Sequence, residues 1–398
     1  MNTLTWITAE IRQICETYKN RSAGSESERA CAEHFHQQMT GWADHVATES
    51  FILHPKAFIG SIPSQAALGL GSILSYWLAM LFNSSFFSFL CPILAIIGLA
   101  SWLFEHILYR EVTDILWSKK VSQNVMATRK ASVETKRRIV LCAHSDAAYE
   151  LPFLLKLKKG MIITLAILAD VALPFCLFCG AYQFFLDPNS ALRVFWGVLN
   201  LLGAVSFIPF LFFVNWKVIV DGANDNLSSC LIIMSILKEM EEKNERLEYT
   251  DVCCLITGGE ESGLRGAFSY AKTHRKELLE IDTVVIAADT MHEVSQLMIY
   301  TKGINGTQKN DSKASELLRQ AGKNCGISIP DAGFYIGATD AEAFSRYGIK
   351  ATAICGVHHM PMSYYHTRFD TWNNLNADCI SLTRDILKET IVLFDKPH

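Results

Sequence analysis

The chain is short of charge. Asp, Glu, Lys and Arg make up 19% of its 398 residues, while half of the residues are hydrophobic. That balance is too apolar for a purely water-soluble protein of this size and directs attention to membrane-embedded segments. An excess of basic residues is also missing. The formal net charge is −4, which argues against nucleic acid as a partner. The twelve cysteines form no spaced framework, and no CxxC pair stands beside a second one. Cys142 in RRIVLCAH and Cys253–Cys254 in DVCCLI occupy places suited to small buried residues. They read as free thiols in a reducing compartment. The opening MNTLTWITAEIRQICETYKN lacks the apolar core of a secretory signal. Internal segments are therefore expected to carry any membrane association.

What the chain has in abundance is long uncharged runs. Gln65 to Phe82 and Phe86 to Phe104 carry no charge and are joined by Asn83-Ser84-Ser85. Met161 to Leu186 is apolar apart from Asp170, with Pro174 inside it, and Val194 to Val214 is apolar throughout. LDPNSALR joins the second two. About 20 residues at a rise of about 1.5 Å cross a bilayer core. The four runs therefore predict two transmembrane hairpins, 65–104 and 161–214, in an integral, multi-pass protein with membrane lipid as a partner. Buried core helices or an oligomer interface would be the alternative, and four such lengths in two tight hairpins weigh against it. Lys56, Arg110, Lys119, Lys120, Lys156, Lys158, Lys159 and Lys217 flank the runs on one side. The hairpin tips carry Arg193, offset by Asp187. Positive charge is retained on the cytoplasmic face, so the remainder of the chain is expected to be cytoplasmic. EHILYREVTDILWSKK and LPFLLKLKKG mix apolar, aromatic and basic residues as lipid-surface segments do.

That remainder, 1–64 with 105–160 and 215–398, is expected to form one discontinuous domain. Helical spacing covers residues 4–19 and roughly 26–40, and HVATESFIL alternates like a strand. SQNVMATR and KRRIVLCAHSD are plausible strands. After Lys217 helices and strands alternate: a helix at about 227–242, the strand DVCCLI, the helix around RGAFSYAKT, the strand TVVIAAD, the helix KASELLRQAG, the strand KATAICG and a closing helix. This predicts an α/β fold with a mixed, mostly parallel sheet sandwiched between helices.

Five fragments stand at or just after predicted strand ends, where ligand sites gather in such sheets. His144 ends one strand, and Asp146 points the same way two residues on, able to fix its second ring nitrogen. Asp225 lies in the glycine-containing turn GANDN, where it could bridge two metals or simply cap a helix. Glu260 and Glu261 follow TGG. Adjacent acids at an apolar strand end call for a cation, with one as ligand and the other as proton acceptor from a metal-bound water. Asp289 ends TVVIAAD, and an acid there is costly unless paired or coordinated. His366 lies in YYHTRFDTWNNL with Asp370 four residues on, able to orient it. Two histidines and three carboxylates suit zinc, with cobalt or manganese as substitutes.

In this order HSD, GANDNLSS, GGEES, AAD and HTRFDT resemble the two-zinc family of aminopeptidases and glutamate carboxypeptidases, in a membrane-anchored form. RSAGSESE and its following helix resemble that family's entry segment. The resemblance implies the zinc-peptidase fold and two zinc ions. His144 and Asp289 would hold one, Glu261 and His366 the other, with Asp225 bridging. Glu260 would be the general base and Asp146 the orienter of His144. The peptide between Asp225 and Asn226 would be cis. The activity implied is that of an exopeptidase, most directly an aminopeptidase cleaving N-terminal residues from peptide substrates with a di-zinc-activated water. Two departures stand out: a predicted membrane hairpin separates HSD from GANDN, and Ser229 replaces the glycine of NxSG. GATDAEAF resembles a family segment near the substrate pocket, which makes Asp340 the substrate-side candidate. A glutaminyl cyclase using a single zinc, or a non-catalytic membrane scaffold on the same fold, are the alternatives.

Overall fold

The computed structural model describes residues 2–185, 190–333, 337–357 and 364–396; Asp187, at the second hairpin tip, lies outside them. The chain forms two compact units. One comprises Met1–Pro55, Ser118–Glu150 and Lys217–His398, the other Lys56–Trp117 and Leu151–Trp216.

In the first unit, apolar runs without alternation become strands buried on both faces. Among the described residues the strands of its main sheet are β1 (His45–Leu53), β2 (Lys120–Arg129), β3 (Arg137–His144), β4 (Thr250–Thr257), β5 (Asp282–Met291), β6 (Met298–Gly303), β7 (Gln308–Lys309), β8 (Asp331–Gly333) and β9 (Lys350–Gly356). Their spatial order is β1-β2-β4-β3-β5-β9-β6-β8, with β7 beside β6. β4, β3, β5 and β9 run parallel. β1 and β2 add an antiparallel edge on one side. The sheet is thus mixed and mostly parallel at its centre, as expected. Four carboxyl ends consequently meet at one rim.

Helices pack on this sheet. Ser228–Glu242 buries Leu231, Ile232, Ile233, Ile236 and Leu237, each worth roughly 2 kcal/mol of transfer free energy. Thr3–Thr17, Glu26–Thr40, Ser312–Asn324 and Ala377–Asp395 contribute to the same core. Their starts are capped by side chains: Ser25 Oγ accepts from Glu28 N at 3.0 Å, Asp311 Oδ1 from Ala314 N at 2.8 Å and Asn376 Oδ1 from Cys379 N at 3.0 Å. All twelve cysteines are free thiols.

In the second unit, four helices are long and apolar enough to cross a membrane: Ala57–Phe82, Ser85–Ile107, Gly160–Phe185 and Ala191–Phe210, among the described residues. The first begins at Ala57, ahead of the run starting at Gln65, because AFIGSIPS is also uncharged and continues the helix. The last turn of the second is π-helical, Trp102–Ile107. Glycines bring these helices close: a Cβ on Gly69 would meet the Phe207 ring at 2.6 Å, and one on Gly197 would meet Tyr76 at 2.8 Å. Large apolar side chains such as Leu81, Val171 and Leu202 face outward, each about 60% exposed or more.

Candidate metal centre

The parallel register brings the predicted fragments together. His144 at the end of β3 is paired with Thr257 at the end of β4. The chain then turns through Gly258 and Gly259, whose φ of +63° is accessible to glycine at little cost, and delivers Glu260 and Glu261. β5 presents Asp289, two residues before its last. Gly222, at φ +60°, opens the turn that carries Asp225 into the same rim, and the Asp225–Asn226 peptide is cis, as the resemblance implied.

Asp225 is shared. Its Oδ1 lies 3.2 Å from His144 Nε2 and its Oδ2 lies 3.1 Å from His366 Nε2. His144 Nε2 is 3.8 Å from Asp289 Oδ1, and His366 Nε2 is 3.1 Å from Glu261 Oε1. Two trios capable of holding an ion result, His144–Asp225–Asp289 and Asp225–Glu261–His366; His144 with Glu260 and Glu261 forms a further such group. Two ligands of one tetrahedral zinc, each about 2.0–2.1 Å from it, stand about 3.3 Å apart. The spacings of 3.1–3.2 Å match that geometry, and the His144–Asp289 spacing of 3.8 Å is wider. Asp225 Oδ2 and Glu261 Oε1 are buried yet make no hydrogen bond, although each lies close to His366. Carboxylate oxygens in that condition fit a cation between them. The residues present therefore fit zinc.

The electrostatics agree. Burial disfavours charge on His144, but Glu260, Asp146, Asp225 and Asp289 outweigh it and hold its proton well above the ordinary histidine range. Burial opposes charge on His366 too, while Glu261 and Asp225 raise it to about 10. Asp225 is disfavoured by burial, yet the two histidines keep it well below the usual carboxylate range. Burial and its neighbours Glu261, Asp289 and Asp340 push Glu260 well up, against the pull of His144.

Asp146 faces His144 Nδ1 at 3.5 Å. Its two oxygens also accept hydrogen bonds from Glu260 N at 3.0 Å and Glu261 N at 3.1 Å. Asp370 bonds to the bridging turn: Asn224 N and Nδ2 donate to it at 2.8 and 2.9 Å, and Asp225 N at 3.1 Å. Asp340 is 3% exposed and accepts from Thr257 Oγ1 at 2.5 Å and Cys142 Sγ at 3.6 Å. A small cavity opens over the cluster, and from the segment of Asp340 it is Ala338 that lines it. Thr290, Cys355, Val357 and Tyr365 complete its wall.

Three residues at the site carried no sequence signal of their own. Tyr365 stacks on His366, ring centroids 4.0 Å apart. Arg21 is buried and donates to Ser145 O at 3.3 Å and Asp221 O at 2.5 Å, tying the HSD and GANDN loops together. Glu28 accepts from Gly259 N at 3.1 Å and so holds the loop that precedes Glu260. Arg21 and Glu28 belong to the entry segment, whose resemblance was visible but whose contacts were not.

The fold is one shared by zinc aminopeptidases and glutaminyl cyclases. The glutaminyl cyclase of Fimbriiglobus ruber superposes with a TM-score of 0.58 at 11% identity, covering 98% of this chain and 95% of that one. The aminopeptidase from Aneurinibacillus sp. strain AM-1 gives 0.58 at 14%, covering 98% and 93%. BSAP, a zinc aminopeptidase from Bacillus subtilis, gives 0.56 at 12%, covering 98% and 94%. Residues 209–391 match the model of Peptidase family M28. No curated protein matches the chain.

Proposed function

We propose that the protein is a membrane-anchored, zinc-dependent exopeptidase that removes N-terminal residues from peptides. The observation that carries this reading is the sharing of Asp225 between two trios, each completed by one histidine and one further carboxylate. His144 and Asp289 would hold one zinc, Glu261 and His366 the second, and Asp225 both. Bound there, zinc supplies Lewis acidity toward a carbonyl oxygen and lowers the pKa of water.

The chain's own groups do the rest. Glu260, next to the ligand Glu261 and set over the cavity, takes the proton of the attacking water. It returns that proton to the departing amine, so the C–N bond breaks with no net proton change at the enzyme. Tyr365 stands in the cavity wall with its ring held on His366, able to donate its phenolic hydrogen to oxygen as negative charge develops there. Among the described lining residues are four carboxylates and no Lys or Arg. With no Lys or Arg among the described lining residues, no such side chain there can pair with a substrate's free carboxylate, which supports amino-terminal rather than carboxy-terminal cleavage.

The anchoring rests on the four long apolar helices, and the cytoplasmic placement of the catalytic domain on the basic residues that flank them. Glutaminyl cyclases share the fold to the same degree, so the test includes their substrate. Zinc content of the purified full chain would be measured alongside hydrolysis of aminoacyl-anilides and cyclisation of N-terminal glutaminyl peptides. The reading expects two zinc ions per chain and amino acid release. One zinc with cyclisation alone would replace it by the cyclase reading.

A further inference from the structure

Asp170 sits on the wrong side of its helix for a residue without company. The span Gly160–Phe185 is uncharged apart from it. Ten residues of helix separate Asp170 from Gly160, about 15 Å along the axis, which is half of a hydrocarbon core about 30 Å thick. Its short side chain cannot reach either interface from there. Neighbours Ala172, Leu173 and Cys176 turn into the four-helix packing and are buried. Asp170 turns the other way and is exposed, together with Ile163, Ile167, Val171 and Phe178. Among the described residues no side chain is placed to pair with it. An ionisable group at mid-membrane is expensive unless another polar group covers it.

From this we infer that the exposed face of the helix Gly160–Phe185 around Asp170 is the contact between two copies of this chain in the membrane. The inference rests on the membrane-anchored reading above. A second copy inserts in the same orientation, so its Asp170 arrives at the same depth without further adjustment. A two-fold contact sets each residue of such a face against itself or its symmetry mate. Two carboxyl groups meeting there share protons, each O–H donating to the other's oxygen, which is the pairing hydrocarbon surroundings demand. The chain offers no cation for the purpose: Arg193 is the one Lys or Arg within the four spans, and it stands at the end of its own. Ile163, Ile167, Asp170 and Pro174 recur at intervals of four, three and four residues, the spacing of a helix–helix seam.

The full chain would be placed in phosphatidylcholine vesicles. Flotation and resistance to alkaline extraction would first establish insertion, and subunit counting by single-molecule photobleaching would follow at several protein-to-lipid ratios. Dimers are expected for the wild type. Asp170→Leu, which suits a lipid-facing monomer, is expected to weaken the dimer about tenfold or more. Asp170→Asn, whose amides can pair with each other, is expected to retain it. A chain that does not insert overturns the anchoring reading and this proposal with it. An inserted wild type that stays monomeric, or an Asp170→Leu dimer as tight as the wild type, overturns the proposal alone. So does a monomer that pairs one to one with a synthetic helix carrying a mid-span Lys, because the face would then belong to a basic partner.

Discussion

The carboxylate of Asp146 grips the backbone of Glu260: Oδ1 accepts the Glu260 amide at 3.0 Å while Oδ2 accepts that of Glu261 at 3.1 Å. The same carboxylate faces His144 Nδ1. One side chain therefore stands against both a histidine ring, whose Nδ1 also lies 3.3 Å from the Asp146 carbonyl oxygen, and the loop bearing two acids. In Asp146→Asn one acceptor becomes a donor pointed at an amide N–H. Zinc affinity should fall by about 10–100-fold, the usual result of losing a group behind a metal ligand. Competition with a chromophoric chelator measures it, and unchanged affinity would show that His144 and the acid loop hold their positions without Asp146.

Glu260 and Glu261 are neighbours with different prospects. Glu261 contacts His366 within one trio, whereas Glu260 lies 3.9 Å from His144 Nε2. Glu260→Gln should keep the metal and lose about 100-fold or more of turnover on aminoacyl-anilides, because an amide cannot accept the water's proton. Glu261→Gln should lose metal first. If Glu260→Gln turned over substrate at a near-normal rate with full metal, the base would have to be sought elsewhere.

Metal uptake should be coupled to pH. In the metal-free chain His366 keeps its proton up to about 10, against an ordinary value of 6.5. Its pairing with Glu261 and Asp225 then stabilises the fold fully below 6.5, and that contribution is lost as pH rises through about 10. A ligand nitrogen must be deprotonated, so zinc binding near neutrality should release protons and tighten as pH rises. Calorimetric titration in buffers of different ionisation enthalpy reads the proton count. Uptake with no proton released would show that His366 is already neutral.

Much of this was legible because its signals are local. RRIVLCAH and TVVIAAD announce buried strands by composition, and a histidine or aspartate near such a strand's end is conspicuous. The four apolar helices were equally plain. The roles of Asp370 and Asp340 were harder to see, since proximity in sequence misleads. Asp370 is four residues from His366 yet bonds to Asn224 and Asp225, about 145 positions away, and Asp340 turns beneath the sheet rim to Thr257. Tyr365 had no motif beyond its place before His366. Arg21 and Glu28 act through backbone atoms of distant loops, and nothing in their own surroundings encodes those partners.

Glu28 gives the strictest check on that last point. It is 1% exposed, with Oε2 accepting from Gly24 N at 2.6 Å and Oε1 from Ser122 Oγ at 2.8 Å and Gly259 N at 3.1 Å. It thus joins the entry segment, β2 and the loop before Glu260. In Glu28→Ala three donors lose their acceptor, two of them buried and costing roughly 1–3 kcal/mol each, so the melting temperature should drop sharply and turnover with it. Glu28→Gln separates charge from contact. Burial first, and Asp146 second, push the Glu28 carboxyl up from 4.5 to about 8. The folded chain then holds a proton that the unfolded chain releases, so this group's contribution falls as pH rises from about 4.5 to about 8. A neutral glutamine should remove that share of the slope in a plot of melting temperature against pH while costing less stability than alanine. A glutamine variant with an unchanged slope would mean that Glu28 is charged throughout, held so by its three donors.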